Sequence, residues 1–340
     1  MGIDLALFNN RLEFTAEWYK NTSEDLLYAV PVPEQAGVSN TTVTMNAASM
    51  NNSGFEFAAT YRNRDHDFKY EVSANLSTVR NRVTSLGFGT DSYISGAYIT
   101  NVGEEIGKFY GWVYDGIART QADLDNHATQ EGAQIGDCLY KDVSGPDGKP
   151  DGKVDAYDQV VLGSGMPKIN FGLNARFEYK RFDLSIATFG ALNYHVSDDI
   201  HNSLNSCYGW GNKDVAMLDA NRFSEDGSTY LSNVPRTYVT NSASLAWNDL
   251  FSDRKIQNAA YWKIANIELG YNFPNEWFGK YISDVRLYVS AQNLHTFTGY
   301  KGYNVDYAEY IHTGYKLLFL SYRTYLHVWC SFHFLITKKS

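Results

Sequence analysis

The run Ile169–Gly190 restricts the fold of this chain more than any other stretch. Ile169, Phe171, Leu173, Ala175 and Phe177 alternate with Asn170, Gly172, Asn174, Arg176 and Glu178. A tight turn at Lys180-Arg181 leads into a return arm, where Phe182, Leu184 and Ile186 alternate with Asp183, Ser185 and Ala187. Side chains of a strand point to opposite faces with a period of two, so this hairpin has one apolar and one wet face. Each arm is roughly nine to eleven residues, the length a tilted strand needs to cross a bilayer core. Strands of soluble sandwiches are usually shorter, about five or six residues. The expected fold is all-β, with this hairpin as one unit of an antiparallel transmembrane β-barrel.

Composition agrees. Aromatics make up 15% of the 340 residues, with 26 Tyr, 19 Phe and 7 Trp. Tyr and Trp collect at membrane–water boundaries because their rings are apolar at one end and polar at the other. Mean hydropathy is negative, and no apolar run approaches the ~20 residues of a membrane helix. A barrel escapes that test, because only alternate residues face lipid. A soluble secreted β-sandwich, binding carbohydrate through loop aromatics, is the competing reading. A net charge of −9 argues against nucleic acid as a partner. Cys138, Cys207 and Cys330 are too few and too far apart for a disulfide framework or a metal cluster.

Further alternating runs flank the hairpin. Leu12, Phe14, Ala16 and Trp18 share a face, as do Phe55, Phe57, Ala59 and Tyr61, and then Tyr70, Val72, Ala74 and Leu76. Downstream come Ala265, Ile267, Leu269, Tyr271 and Phe273, then Val285, Leu287, Val289 and Ala291, and a last run from Tyr322 to Phe334. Short connections at Asn9-Asn10, 63–67, 179–181 and about 274–283 alternate with long ones at 21–52, 80–168, 191–259 and 296–320. Outer-membrane barrels show this asymmetry, with short periplasmic turns and long extracellular loops. The parity requires Ile106–Ala118 to lie inside a loop. The count is about nine strands, the first cut short, which fits the C-terminal part of a larger barrel. The opening residues lack the basic and apolar regions of an export signal, so a fragment is expected.

Several segments resemble the C-terminal barrel half of the SusC/RagA-like TonB-dependent outer-membrane transporters. They are Leu7–Tyr19, Asp25-Leu-Leu, Asn52-Ser-Gly-Phe-Glu-Phe, Ile106–Ile117, Gly136-Asp137 ahead of Tyr140-Lys-Asp-Val, Gly145–Asp155, and Asn293-Leu with Thr298–Tyr303. The resemblance implies one unit over 1–340, with the plug domain and first strands absent. It implies import of glycan or peptide nutrients across the outer membrane of a Gram-negative bacterium. A SusD-like surface lipoprotein would close the extracellular mouth, and the TonB system would supply energy through the missing N-terminal part. The end departs from the family pattern: Leu-Ile-Thr-Lys-Lys-Ser follows Phe334, where a terminal aromatic is usual.

Candidate sites lie in the long loops. Asp147, Asp151, Gly152, Asp155 and Asp158 match positions one, five, six, nine and twelve of a calcium loop, and Asp142 is a further donor. Lys149 occupies the third position, where an oxygen belongs. Calcium is the one cofactor suggested, against a plain Asp/Gly turn. Tyr208, Trp210, Tyr230, Tyr238 and Trp247 could stack on sugar rings or peptide side chains. His195, His201 and Asp198-Asp199 form no metal or acid/base pattern. No Gly-rich phosphate loop or catalytic triad occurs, so the chain is not expected to be an enzyme.

Overall fold

The computed structural model describes residues 1–31, 42–87, 89–197, 199–207, 212–237, 247–278, 282–302, 305 and 325–334. In chain order the strands are β1 (Gly2–Leu7), β2 (Leu12–Pro31), β3 (Thr42–Asn63), β4 (Phe68–Thr78), β5 (Arg80–Ser85), β6 (Ser92–Ser95), β7 (Tyr98–Asn101), β8 (Lys108–Gly111) and β9 (Tyr114–Ile117). After helix α1 (Gln121–Asn126) come β10 (Cys138–Tyr140), β11 (Val160–Ser164), β12 (Ile169–Tyr179), β13 (Phe182–Leu192) and β14 (His195–Ser197). Helix α2 (Asp199–Leu204) precedes β15 (Ile256–Asn258), β16 (Tyr261–Asn272), β17 (Ile282–Thr298) and β18 (Tyr325–Phe334).

One sheet dominates, in the order β1-β2-β3-β4-β12-β13-β16-β17-β18, with β5 paired to the early part of β3. Every pairing along this path is antiparallel and joins strands in chain order. It is the wall of an antiparallel barrel, and its nine strands are those the alternation marked out. The register of the opening hairpin runs without a break from Tyr179↔Phe182 to Ile169↔Leu192. Its two-residue turn is possible because Lys180 takes a left-handed conformation, φ 54°. Asn9 and Asn10 do the same in the first turn, where asparagine tolerates positive φ better than most residues.

The two faces differ as the pattern requires. Leu173, Leu269, Leu287 and Val289 are 41%, 52%, 39% and 40% exposed, so no second sheet covers them among the described residues. A sandwich would bury that face. The opposite face carries ion pairs close to the short turns. Arg62 grips Glu13 through two bonds of 3.0 and 2.9 Å, and Arg64 reaches Glu71 at 3.0 Å. Arg286 joins Glu268 at 2.8 Å and pairs with Asp183. Ten steps of ~3.4 Å along a strand such as β12 give ~34 Å, or ~24 Å at ~45° tilt, close to the ~25 Å apolar band of such barrels. Aromatics gather at both ends of that band. Phe68, Tyr70, Phe177 and Tyr179 cluster near one set of turns, and Trp262 stacks on Phe297 at 5.3 Å near the long loops.

Two expectations change, and one lies outside the described residues. The loop drawn at 21–52 is mostly strand, because β2 and β3 stay paired from Leu12↔Tyr61 to Pro31↔Thr42. Backbone pairing needs no apolar side chains, so this polar hairpin extends past the alternating part. Ala265 does not continue the face of Ile267, since the register shifts between Ile264 and Asn266. That bulge puts Ile264 and Trp262 in the face instead, as one inserted residue reverses every later side chain. The last strand is described from Tyr325, and Tyr322 and Thr324 lie outside the described residues.

The long excursions fold into small sheets: a four-stranded one, β11-β8-β7-β6, and two-stranded ones, β10-β9 and β14-β15. Ile106–Ala118 supplies β8 and β9 to these sheets and does not join the wall, which preserves the strand parity.

Candidate functional site

The loop excursions pack around Cys138, Tyr140 and Val154, with Trp112, Tyr114, Trp247 and Leu250 against them. Tyr140 is fully buried and donates its hydroxyl to the Trp247 carbonyl at 2.6 Å. Burial pushes its pKa well above the ordinary tyrosine value. Asp137 is also fully buried, which a carboxylate tolerates only when it is paired. Arg236 supplies the pair at 2.6 Å, and Asn248 adds an amide bond at 2.8 Å. These partners lie about a hundred positions apart in the chain, so the two long loops form one packed unit.

Of the five aromatics proposed to stack on solute, Tyr208, Trp210 and Tyr238 lie outside the described residues. Tyr230 is fully buried; its hydroxyl donates to the Val234 carbonyl at 2.8 Å and its ring meets Phe223 edge-on. It offers no face to a solute and acts as a packing residue. Trp247 is half-buried, donates its indole N–H to the Glu131 carbonyl at 2.8 Å, and rests beside Tyr140. Neither of these two is among the described residues that line the clefts below.

The acids of the Asp/Gly loop make local bonds. Asp158 is fully buried and accepts from the backbone N–H groups of Val143, Ser144 and Asp155. Asp142 accepts from Gly152 N–H, Asp151 from Lys153 N–H, and Asp155 from Tyr157 N–H. Asp147 is exposed. Asp142, Asp151, Asp155 and Asp158 thus each accept from the loop's own backbone donors. Among the described residues no group of three or more His, Cys, Asp or Glu gathers to hold a metal. Asp142 Oδ1 is buried with no hydrogen-bond partner among the described residues.

Two clefts of the loop unit are lined by described residues. One, of about 600 Å³, sits beside α1 and is lined by Leu124, His127, Gln134, Phe223 and Arg236 among others. Its polar groups are already engaged, with Arg236 on Asp137 and Gln134 and His127 near Asp115. The second, of about 460 Å³, lies where β16 begins and β17 ends, and is lined by Arg254, Gln257, Asn258, Ala260, Gly299 and Lys301. Gly299 and Lys301 lie in the Thr298–Tyr303 segment that carries the family resemblance, and no local motif marks the others. The lining residues come from two segments about forty positions apart, joined by the bond from Lys301 N–H to Gln257 Oε1.

No family model matches the chain. It is 32% identical over 319 residues to TonB-dependent receptor P3 of Formosa agariphila, covering 89% of this chain and 29% of that receptor. It is 26% identical over 315 residues to TonB-dependent receptor SusC of Bacteroides thetaiotaomicron, covering 88% of this chain and 28% of that one. The structure of the RagAB peptide transporter superposes on 90% of this chain and 32% of the solved chain, with a TM-score of 0.71 and 25% identity. The chain thus spans less than a third of the length of the relatives it matches. Along almost all of its own length it is similar to SusC/RagA-like TonB-dependent transporters, and these relatives are receptors and transporters.

Proposed function

We propose that this chain is barrel wall and extracellular loops of a SusC-like TonB-dependent importer, working in the outer membrane of a Gram-negative bacterium. Its task is nutrient import by binding and gated passage, with no bond chemistry. The cargo is a glycan or a peptide. A SusD-like lipoprotein would sit on the loop side, and the TonB system would supply the energy. The observation that carries this reading is the uncovered apolar face of a nine-stranded antiparallel wall. Strands of this length with one wet and one apolar face are what a barrel presents to lipid. The match to SusC and RagAB over nearly the whole chain supports it.

The test is expression in a Gram-negative host, separation of membrane and soluble fractions, and gel migration with and without boiling. Outer-membrane recovery with a heat-dependent shift is expected. A soluble, β-rich monomer that needs no detergent would overturn the proposal.

A further inference from the structure

The cleft between the start of β16 and the end of β17 presents hydrogen-bond donors. Asn258 Oδ1 accepts from Ala260 N–H at 2.9 Å, and Gln257 Oε1 accepts from Lys301 N–H at 3.0 Å. Because the partner of each oxygen is an N–H, the amide orientations follow from the bonding. Each side chain therefore has its NH2 end left, and no acceptor takes either one among the described residues. Arg254 is held at one edge. Its Nη1 donates to Cys138 Sγ at 2.8 Å, and its guanidinium lies 4.9 Å from the centre of the Tyr114 ring. Burial pushes the Cys138 thiol up to about 11, so this partner is neutral at ordinary pH and does not cancel the charge.

The nearby acids are otherwise engaged. Asp253 accepts from Tyr114 N–H at 2.9 Å, and Asp249 accepts from Cys207 N–H and the Ser206 hydroxyl. Lys255 points to the Asp249 carbonyl. Among the described residues neither Arg254 nor Lys301 has a carboxylate within ion-pair distance. Two cations and two amide donors thus line a cleft at the mouth of the wall.

We propose that this cleft binds an oxyanion, a carboxylate or sulfate, of the solute being imported; this rests on the import reading above. Charge-assisted hydrogen bonds to such a group are the stronger kind, and a guanidinium and an amide edge both suit its planar or tetrahedral oxygens. The cargo would therefore be an acidic oligosaccharide or an acidic peptide, not a neutral one.

The test uses detergent-purified protein and equilibrium binding of five probes: an oligogalacturonate, a sulfated galacto-oligosaccharide, their neutral galactose counterpart, N-acetyl-trialanine, and N-acetyl-trialanine amide. Saturable, salt-sensitive binding of one acidic probe but not its neutral counterpart is expected. Lys301→Gln should weaken it about tenfold or more, as loss of one charge-assisted bond does. Gln257→Glu leaves an oxygen for Lys301 N–H while placing a negative charge in the cleft, and should weaken it at least as much. Whichever acidic probe binds identifies the source of the oxyanion. Equal binding of acidic and neutral probes, no binding of any acidic probe, or unchanged affinity in both variants would overturn the assignment. If the heat-dependent gel shift persists in that case, the import reading survives and only the oxyanion site is lost.

Discussion

Leu173 shows how much one position can reveal. It alternates with Asn174 and lies on the uncovered face, 41% exposed. Leu173→Arg should cost ~2–4 kcal/mol of insertion stability if the residue sits near the bilayer midplane. Denaturant titration of the folded, heat-shifted band measures this, and an unchanged midpoint would mean that the face is not in lipid. The buried thiols respond to pH. Burial raises Cys138 to about 11 and Cys207 to about 12, above the ordinary thiol value. A raised thiol pKa stabilises the fold fully below the unfolded value, and that contribution falls as pH rises toward 11 and 12. Iodoacetamide should therefore leave both unlabelled near neutral pH and label them once denaturant is added, as followed by mass spectrometry. Rapid labelling of the native protein at neutral pH would contradict their burial. Tyr230 teaches the opposite lesson: an aromatic in a polar loop looked available to solute, yet three-dimensional packing buries it completely.

Among the elements, the hairpin β12–β13 was the most readable, since strict alternation leaves one register that keeps the apolar set together. Gly190 carries a requirement that alternation hides. A Cβ there would meet the Tyr261 carbonyl oxygen at 2.3 Å and the Phe171 ring at 2.5 Å. Gly190→Leu should therefore disrupt pairing between β13 and its neighbours β12 and β16. The expected result is loss of the heat-dependent shift, or a lower melting temperature by circular dichroism. A variant as stable as the parent would show that β16 and the Phe171 ring can move aside. The bulge at Ala265 and the extended β2–β3 hairpin were not legible. Both depend on which partner strand lies alongside, and local composition does not report that.

For the whole molecule, alternation of short and long connections ordered nine wall strands on the condition that Ile106–Ala118 lies in a loop, and the structure places it there. Among the described residues no helix is long and apolar enough to cross a membrane, and the strands have the length and faces to do so. The loop unit was a different matter. Its buried Asp137–Arg236 pair, its core around Tyr140 and its donor-lined cleft each join residues far apart in the chain. The sequence by itself determined which segments form the wall, most of their faces and their order, because a period of two and the length of a connection are local quantities. Only the tertiary structure decided which loop side chains are buried, which carboxylates serve their own backbone, and which cations meet at the rim. Those outcomes depend on long-range contacts, which no spacing along the chain encodes.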